Sequence, residues 1–275
     1  MEIKLFNSWY FIWIAISIVS VLLLFLILRK RKEKTKKITL FVILALGLAL
    51  HFLKVLIPPY STNQTVWLRE SWFINICAAN IFLFPFIFLT KSKRLKDYMF
   101  YIGVISGIIA VFYPVEPMEK ANQLAEMYDI IRFYIHHTML WGVPMLMVLL
   151  KLHKLALKRI LWVPATFMCV LGFIMLNQVL QSELGFVPLR DGDFLDVGYK
   201  NPSMIWGPSG EIGEIFKLFC PDFFARVPVG PNAGAVKYWP WFWLICPAYI
   251  LITPLCFVLC LIFRGKNKSQ QEQTK

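Results

Sequence analysis

The chain has 275 residues, of which 58% are hydrophobic and 16% charged, and it carries a formal net charge of +13. A soluble domain has about a quarter charged residues, and here the apolar excess lies in long unbroken runs, so a soluble globular domain is excluded. The basic residues cluster between those runs, which argues against nucleic acid as a partner and for a role in membrane topology.

Taken in order, the apolar runs predict a bundle of about seven transmembrane helices. The first run covers 8–28 and is followed, not preceded, by its positive cluster, so it reads as an uncleaved span and not as a signal peptide. The second, 38–57, stops at Pro58-Pro59, which cannot continue a helix. Four more are expected at 72–90, 98–115, 129–150 and 160–180, and the last at 239–262. A long Gly-, Pro- and Asp-containing segment, 181–238, separates the last two, and the polar tail 266–275 is expected to be disordered. Segments 29–37, 91–97, 151–159 and 263–275 then fall on one side and hold 19 of the 29 Lys and Arg, whereas 13 of the 16 acidic residues fall elsewhere. That asymmetry makes the basic side cytoplasmic and places the N-terminus outside and the C-terminus inside.

Polar groups within spans are costly in lipid and are therefore functional candidates. His51 and Lys54 fall near the outer end of the second span, and Asn75, Cys77 and Asn80 in the first turns of the third. Arg132, His136 and His137 fall in the early turns of the fifth, and Asn177 and Gln178 at the outer end of the sixth. Four helices thus place polar groups at one depth, in the outer leaflet, with nothing comparable expected in the inner half. Asp129, Arg132 and His136 recur at i, i+3 and i+7, a stripe that should face protein or water. A Cys beside a His suits nucleophilic acyl chemistry, with Asn side chains or Arg132 polarising the ester. His153, among lysines on an inner loop, reads as solvated surface. Glu211 and Glu214 are too few ligands for a cation site, and Trp239-Pro240-Trp241-Phe242 reads as an interfacial aromatic belt. The six cysteines show no metal spacing, and no Walker or dinucleotide motif is present. No metal and no cofactor are therefore expected.

Several of these segments resemble the YwaF-like integral membrane proteins of bacteria, which are related to a eukaryotic family of transmembrane acyltransferases. Phe73-Ile74-Asn75-Ile76-Cys77 resembles that family's Leu-His-Leu-Cys element, and Tyr134-Ile135-His136-His137 with Pro144 resembles its His-bearing span. Asn201-Pro202-Ser203-Met204-Ile205 is similar to an Asn-Tyr-Met-Phe-Leu element of the last outer loop, and Trp239-Pro240-Trp241-Phe242 to the Trp-Pro-Trp-Tyr that opens the last span. Asn75 stands where the family has a His, and Pro202 and Ser203 where it has an aromatic. The resemblance implies a seven-helix fold in a bacterial plasma membrane, with membrane lipids as partners and a lipid acyltransferase or acyl hydrolase activity. Cys77 would be the nucleophile and His136 or His137 the base. Asn75, Asn80, Arg132, His51, Asn177, Gln178 and Asn201 would contact the substrate. The rival readings are a non-enzymatic small-molecule or lipid carrier, or a membrane scaffold. The sequence sets no oligomeric state.

Overall fold

The computed structural model describes residues 2–57, 60–62, 73, 75–119, 124–183 and 203–265. Asn201, the Pro58-Pro59 stop and the tail 266–275 lie outside the described residues. Those described form ten α-helices, and apart from one isolated bridge between Arg226 and Val236 they contain no strand pairing.

Helix α1 spans Ser8–Leu28, capped by the Asn7 side chain, which accepts the Tyr10 N–H at 2.9 Å. Helix α2 spans Glu33–Leu53 and ends in a 3₁₀ turn, Lys54–Leu56. Its first turn is the basic segment 33–37, which lies ahead of the apolar stretch and was not part of the expected span. Helix α3, Ile76–Leu89, has only 14 residues because Asn75 caps it, its Oδ1 accepting the Ala78 N–H at 2.8 Å. Helix α4 spans Lys93–Phe112, with Ser92 at its cap, and the short α5 spans Val115–Glu119 just past Pro114. Helix α6 spans Leu124–Leu149 and α7 spans Trp162–Glu183. Two short helices follow, α8 over Gly210–Lys217 and α9 over Asp222–Ala225, before the closing helix α10, Ile245–Gly265.

Among the described residues, five helical stretches are long and apolar enough to cross a membrane: Ser8–Leu28, Glu33–Leu56, Lys93–Met118, Leu157–Gln181 and Phe242–Arg264. α6 has the length but not the apolarity, because its first half carries Asp129, Arg132, His136 and His137. It survives by lying at the centre of the bundle. It packs on α1, α2, α3 and, most extensively, α4, while α4 also packs on α7 and α10 closes against α7. Asp129, Arg132 and His136 are all buried, so the i, i+3, i+7 stripe faces protein.

The α4–α6 contact rests on Gly103 and Gly107. A Cβ on Gly103 would lie 2.5 Å from the Leu140 carbonyl oxygen, and one on Gly107 would lie 2.9 Å from Trp141 N and 3.0 Å from the His137 carbonyl oxygen. Two glycines four apart let helix backbones touch, the usual way to hold helices together where lipid offers no hydrophobic drive between them. Gly103→Leu should therefore lower thermal stability in detergent by about 1–3 kcal/mol through overpacking. Ile109→Leu, on the exposed face of the same helix, should leave the melting temperature unchanged in the same differential scanning fluorimetry run.

A Cys–His pocket at the far end of the bundle

At the end of the bundle opposite the basic loops, α2, α3, α5 and α6 surround a cavity of about 500 Å³. Cys77, His51, His136, His137, Asn75 and Arg132 all line it, together with Lys54, Tyr60, Glu116 and Ile212. Asn80, Asn177 and Gln178 do not. Asn80 points into the core, where its Oδ1 accepts the Tyr98 hydroxyl proton at 2.7 Å. Gln178 accepts the Trp206 indole N–H at 3.1 Å, and its neighbour Asn177 is likewise absent from the cavity wall. Three of the four expected helices therefore converge, and α7 instead ties down the segment that begins at Ser203.

Each polar residue of the pocket has an identifiable local cause. Cys77 is the second residue of α3 and half-buried. The N–H groups of Ile76 and Cys77 stand at the helix start, where no carbonyl of α3 itself reaches them. Asn75 lines the cavity but spends its carbonyl oxygen on the cap. The two histidines differ in what their bonds leave over. His136 donates its Nε2–H to the Gly47 carbonyl at 3.0 Å, tying α6 to α2. His137 donates its Nδ1–H to the Phe133 carbonyl at 2.8 Å, one turn back on its own helix. A carbonyl only accepts, so the neutral His137 ring carries its lone pair on Nε2. The His51 and His136 rings lie side by side, 5.9 Å between centroids.

Charges are paired across the pocket. Arg132 Nε donates to Asp129 Oδ1 at 3.1 Å, and its Nη2 lies 3.6 Å from Glu116 Oε1. Asp129 Oδ2 accepts the Tyr60 hydroxyl proton at 3.0 Å, and Lys54 Nζ stands 5.1 Å from the centre of the Tyr60 ring. Burial first, and then the Asp129 carboxylate, hold the Tyr60 phenol above its ordinary value, so Tyr60 remains a donor. Glu116 and Tyr60 were not expected from the sequence. Both sit in breaks after apolar runs, outside the spans to which the depth rule applies.

The basic end holds a second polar cluster, which corrects two expectations. His153 is not solvated surface: it is 6% exposed, and its Nε2 lies 2.7 Å from Asp97 Oδ1. Asp97 is 1% exposed and also receives Arg159 Nε and Nη2. The inner half of the bundle is thus not free of buried polar groups. Arg159 Nη2 also donates to the Lys154 carbonyl at 2.6 Å, so the cluster braces the turn between α6 and α7. The tryptophan segment is likewise more than a belt. Trp241 N donates to Ile205 O at 2.6 Å and Trp243 Nε1 to Met204 O at 2.7 Å, with Trp243 fully buried. Glu214 pairs with Lys217 at 3.1 Å, and no cluster of three or more metal-binding side chains occurs among the described residues.

A family model covers residues 5–260 of the chain. The chain belongs to the TMEM164 family. Comparison with curated proteins and with solved structures finds no match. Membership in this transmembrane family agrees with the apolar helices and makes the chain a multi-pass membrane protein. The matched range includes the Cys77 and His137 segments and both ends of the Met204–Trp243 clasp.

Two outcomes follow from this geometry. Asp97→Asn leaves Arg159 without its counter-charge. It should cost about 3–5 kcal/mol, read as a fall in melting temperature that Lys154→Ala, which removes only a side chain outside the cluster, does not produce. Outside the bundle, burial followed by nearby Cys246 and Asp222 pushes the Cys220 thiol up to about 11. Its alkylation by iodoacetamide should be slow at pH 7 and rise roughly tenfold per pH unit until that value, as followed by peptide mass spectrometry.

Proposed function

We propose that this TMEM164-family chain is an acyltransferase or acyl hydrolase of membrane lipids, embedded in a bacterial plasma membrane by seven spans with its N-terminus outside. The seven are the five apolar stretches together with α3 and α6. The 14 residues of α3 rise about 21 Å, short of the ~30 Å hydrocarbon core. α3 ends at the basic loop beginning with Lys91, so its first turn lies below the opposite surface, near the depth of a lipid ester.

The observation that carries the reading is that Cys77, at a helix start, and His137, with its lone pair on Nε2, line the same cavity. In the proposed reaction His137 Nε2 takes the Cys77 thiol proton, and the sulfur attacks the ester carbonyl carbon of a lipid. The resulting oxyanion is met by the N–H groups of Ile76 and Cys77, aided by the positive end of the α3 dipole. Collapse breaks the ester C–O bond. The departing alkoxide takes the proton from His137 and leaves as the deacylated lipid, with the acyl group held as a thioester on Cys77. A lysolipid hydroxyl or water then gives its proton to His137, attacks the thioester, and the proton returns to the sulfur. His136, committed to Gly47, positions the wall of the pocket, and Arg132 and Lys54 hold the polar headgroup.

In purified protein reconstituted with phosphatidylcholine and a lysophospholipid, Cys77→Ala should abolish acyl exchange. His137→Asn should reduce kcat by about 10²- to 10⁴-fold, and His136→Asn should cost less in kcat than His137→Asn. Equal activity of Cys77→Ala and the unaltered protein would remove Cys77 from the mechanism. The paired charges Lys54, Arg132, Asp129 and Glu116 also suit a carrier of a zwitterionic solute. In that case Cys77→Ser would keep full uptake into proteoliposomes, and no acyl-enzyme would accumulate.

A further inference from the structure

A second cavity, of about 440 Å³, lies between α1, α2 and α6, on the other side of the α2–α6 crossing from Cys77. None of the groups in the proposed acyl transfer lines it. Its walls are almost wholly apolar, and three of its lining residues, Ile16, Leu46 and Ile135, are exposed on the outside of the bundle. The cavity is therefore a crevice open sideways, at the level where apolar helices meet hydrocarbon. The polar groups along its α1–α6 seam are satisfied internally: Thr138 Oγ1 and Trp141 Nε1 both donate to Ser17 Oγ, at 2.7 and 3.1 Å.

One group in the wall is not satisfied. Tyr134 is 2% exposed, stacks on Trp13 with 4.8 Å between ring centroids, and carries a buried hydroxyl with no hydrogen-bond partner among the described residues. An unpaired buried hydroxyl is costly, and it belongs to the α6 wall residue nearest the end of the crevice farthest from the basic loops. From Trp13 to Leu24, both in the wall, α1 rises about 17 Å. That is close to half of the ~30 Å hydrocarbon core, the depth filled by a chain from one leaflet.

We propose that this crevice is a second lipid site, distinct from the Cys77 pocket, that seats one ester-linked acyl chain of a membrane phospholipid with the ester carbonyl accepting the Tyr134 hydroxyl proton. The lateral opening is what selects a bilayer phospholipid as the source, because its headgroup stays at the surface while one chain enters. An occupied crevice also packs the back of the α2–α6 wall that carries His51 and His136.

The test uses the full chain in phosphatidylcholine nanodiscs doped with a phosphatidylcholine that carries a diazirine on one ester-linked acyl chain. After illumination, adducts are mapped by peptide mass spectrometry. Labelling of Ile16, Leu46 and Ile135 should exceed that of Phe257, Val258 and Leu261, which are similarly exposed on α10. Ser20→Trp, which places an indole at the exposed mouth, should bring crevice labelling down to the α10 level. The matching ether-linked probe, which lacks the carbonyl, should label the crevice about fivefold less than the ester probe, the worth of one hydrogen bond. Tyr134→Phe should erase that ester preference. Equal labelling of the crevice and α10, unchanged labelling in Ser20→Trp, or no ester preference to erase would overturn the site as stated. Preferential labelling by a diazirine fatty acid over the phospholipid probe would overturn the phospholipid source. The readout is binding, so it stands or falls independently of acyl transfer, and it can be run in Cys77→Ala.

Discussion

The approach of α4 to α6 at Gly103 and Gly107 is the contact on which the rest of the molecule depends. In hydrocarbon, helices gain little by hiding apolar side chains from one another, and close packing with interhelical hydrogen bonds does the work instead. With no Cβ in the way, α4 comes within contact distance of the carbonyls of His137 and Leu140. This sets the rotation and height of α6 in the bundle. Because α6 carries every ionisable residue of the stripe from Asp129 to His137, its rotation decides whether those groups meet partners or lipid.

The partners themselves are supplied pair by pair. Burying a charge is tolerable only when a counter-charge and hydrogen bonds come with it. Both ends of the bundle obey that rule, with different results. At the basic end, Asp97, His153 and Arg159 close on one another around a turn, and the cluster acts as a brace. At the far end, Tyr60, Asp129, Arg132 and Glu116 form a chain along the wall of a cavity. The far set therefore stands open to a cavity, whereas the basic-end set is used up in holding the fold. Both sets are built on an Asp–Arg pair, so the difference lies in what surrounds it: a turn at one end and a cavity wall at the other.

The helices were legible because the apolar runs are long, and three of them carry local signals: Asn7, Asn75 and Ser92 cap their starts, and Pro114 follows the end of the third, α4. Start points shifted where polar residues continue a helix past its apolar part, as in Glu33–Lys37 of α2. The site was legible in part. Depth alone gathered Cys77, Asn75, His51, Arg132, His136 and His137, which line one cavity. Depth also gathered Asn80, Asn177 and Gln178, which point around their helices into other contacts. Helical phase relative to a neighbour is a property of packing, and a single helix's residues do not encode it.

What the sequence by itself determined is the class of molecule: apolar runs of membrane length, a basic bias in alternate loops, and a Cys and two His at matching heights. These follow from hydropathy and from the 1.5 Å rise of a helix, which depend on nothing beyond the segment itself. Only the tertiary structure decided which nitrogen each histidine keeps, because His136 gives its Nε2–H to Gly47 of another helix and retains Nδ1, whereas His137 gives its Nδ1–H to Phe133 of its own and retains Nε2. Only it revealed the lateral crevice at Tyr134, because a cavity is the space that three separate helices fail to fill.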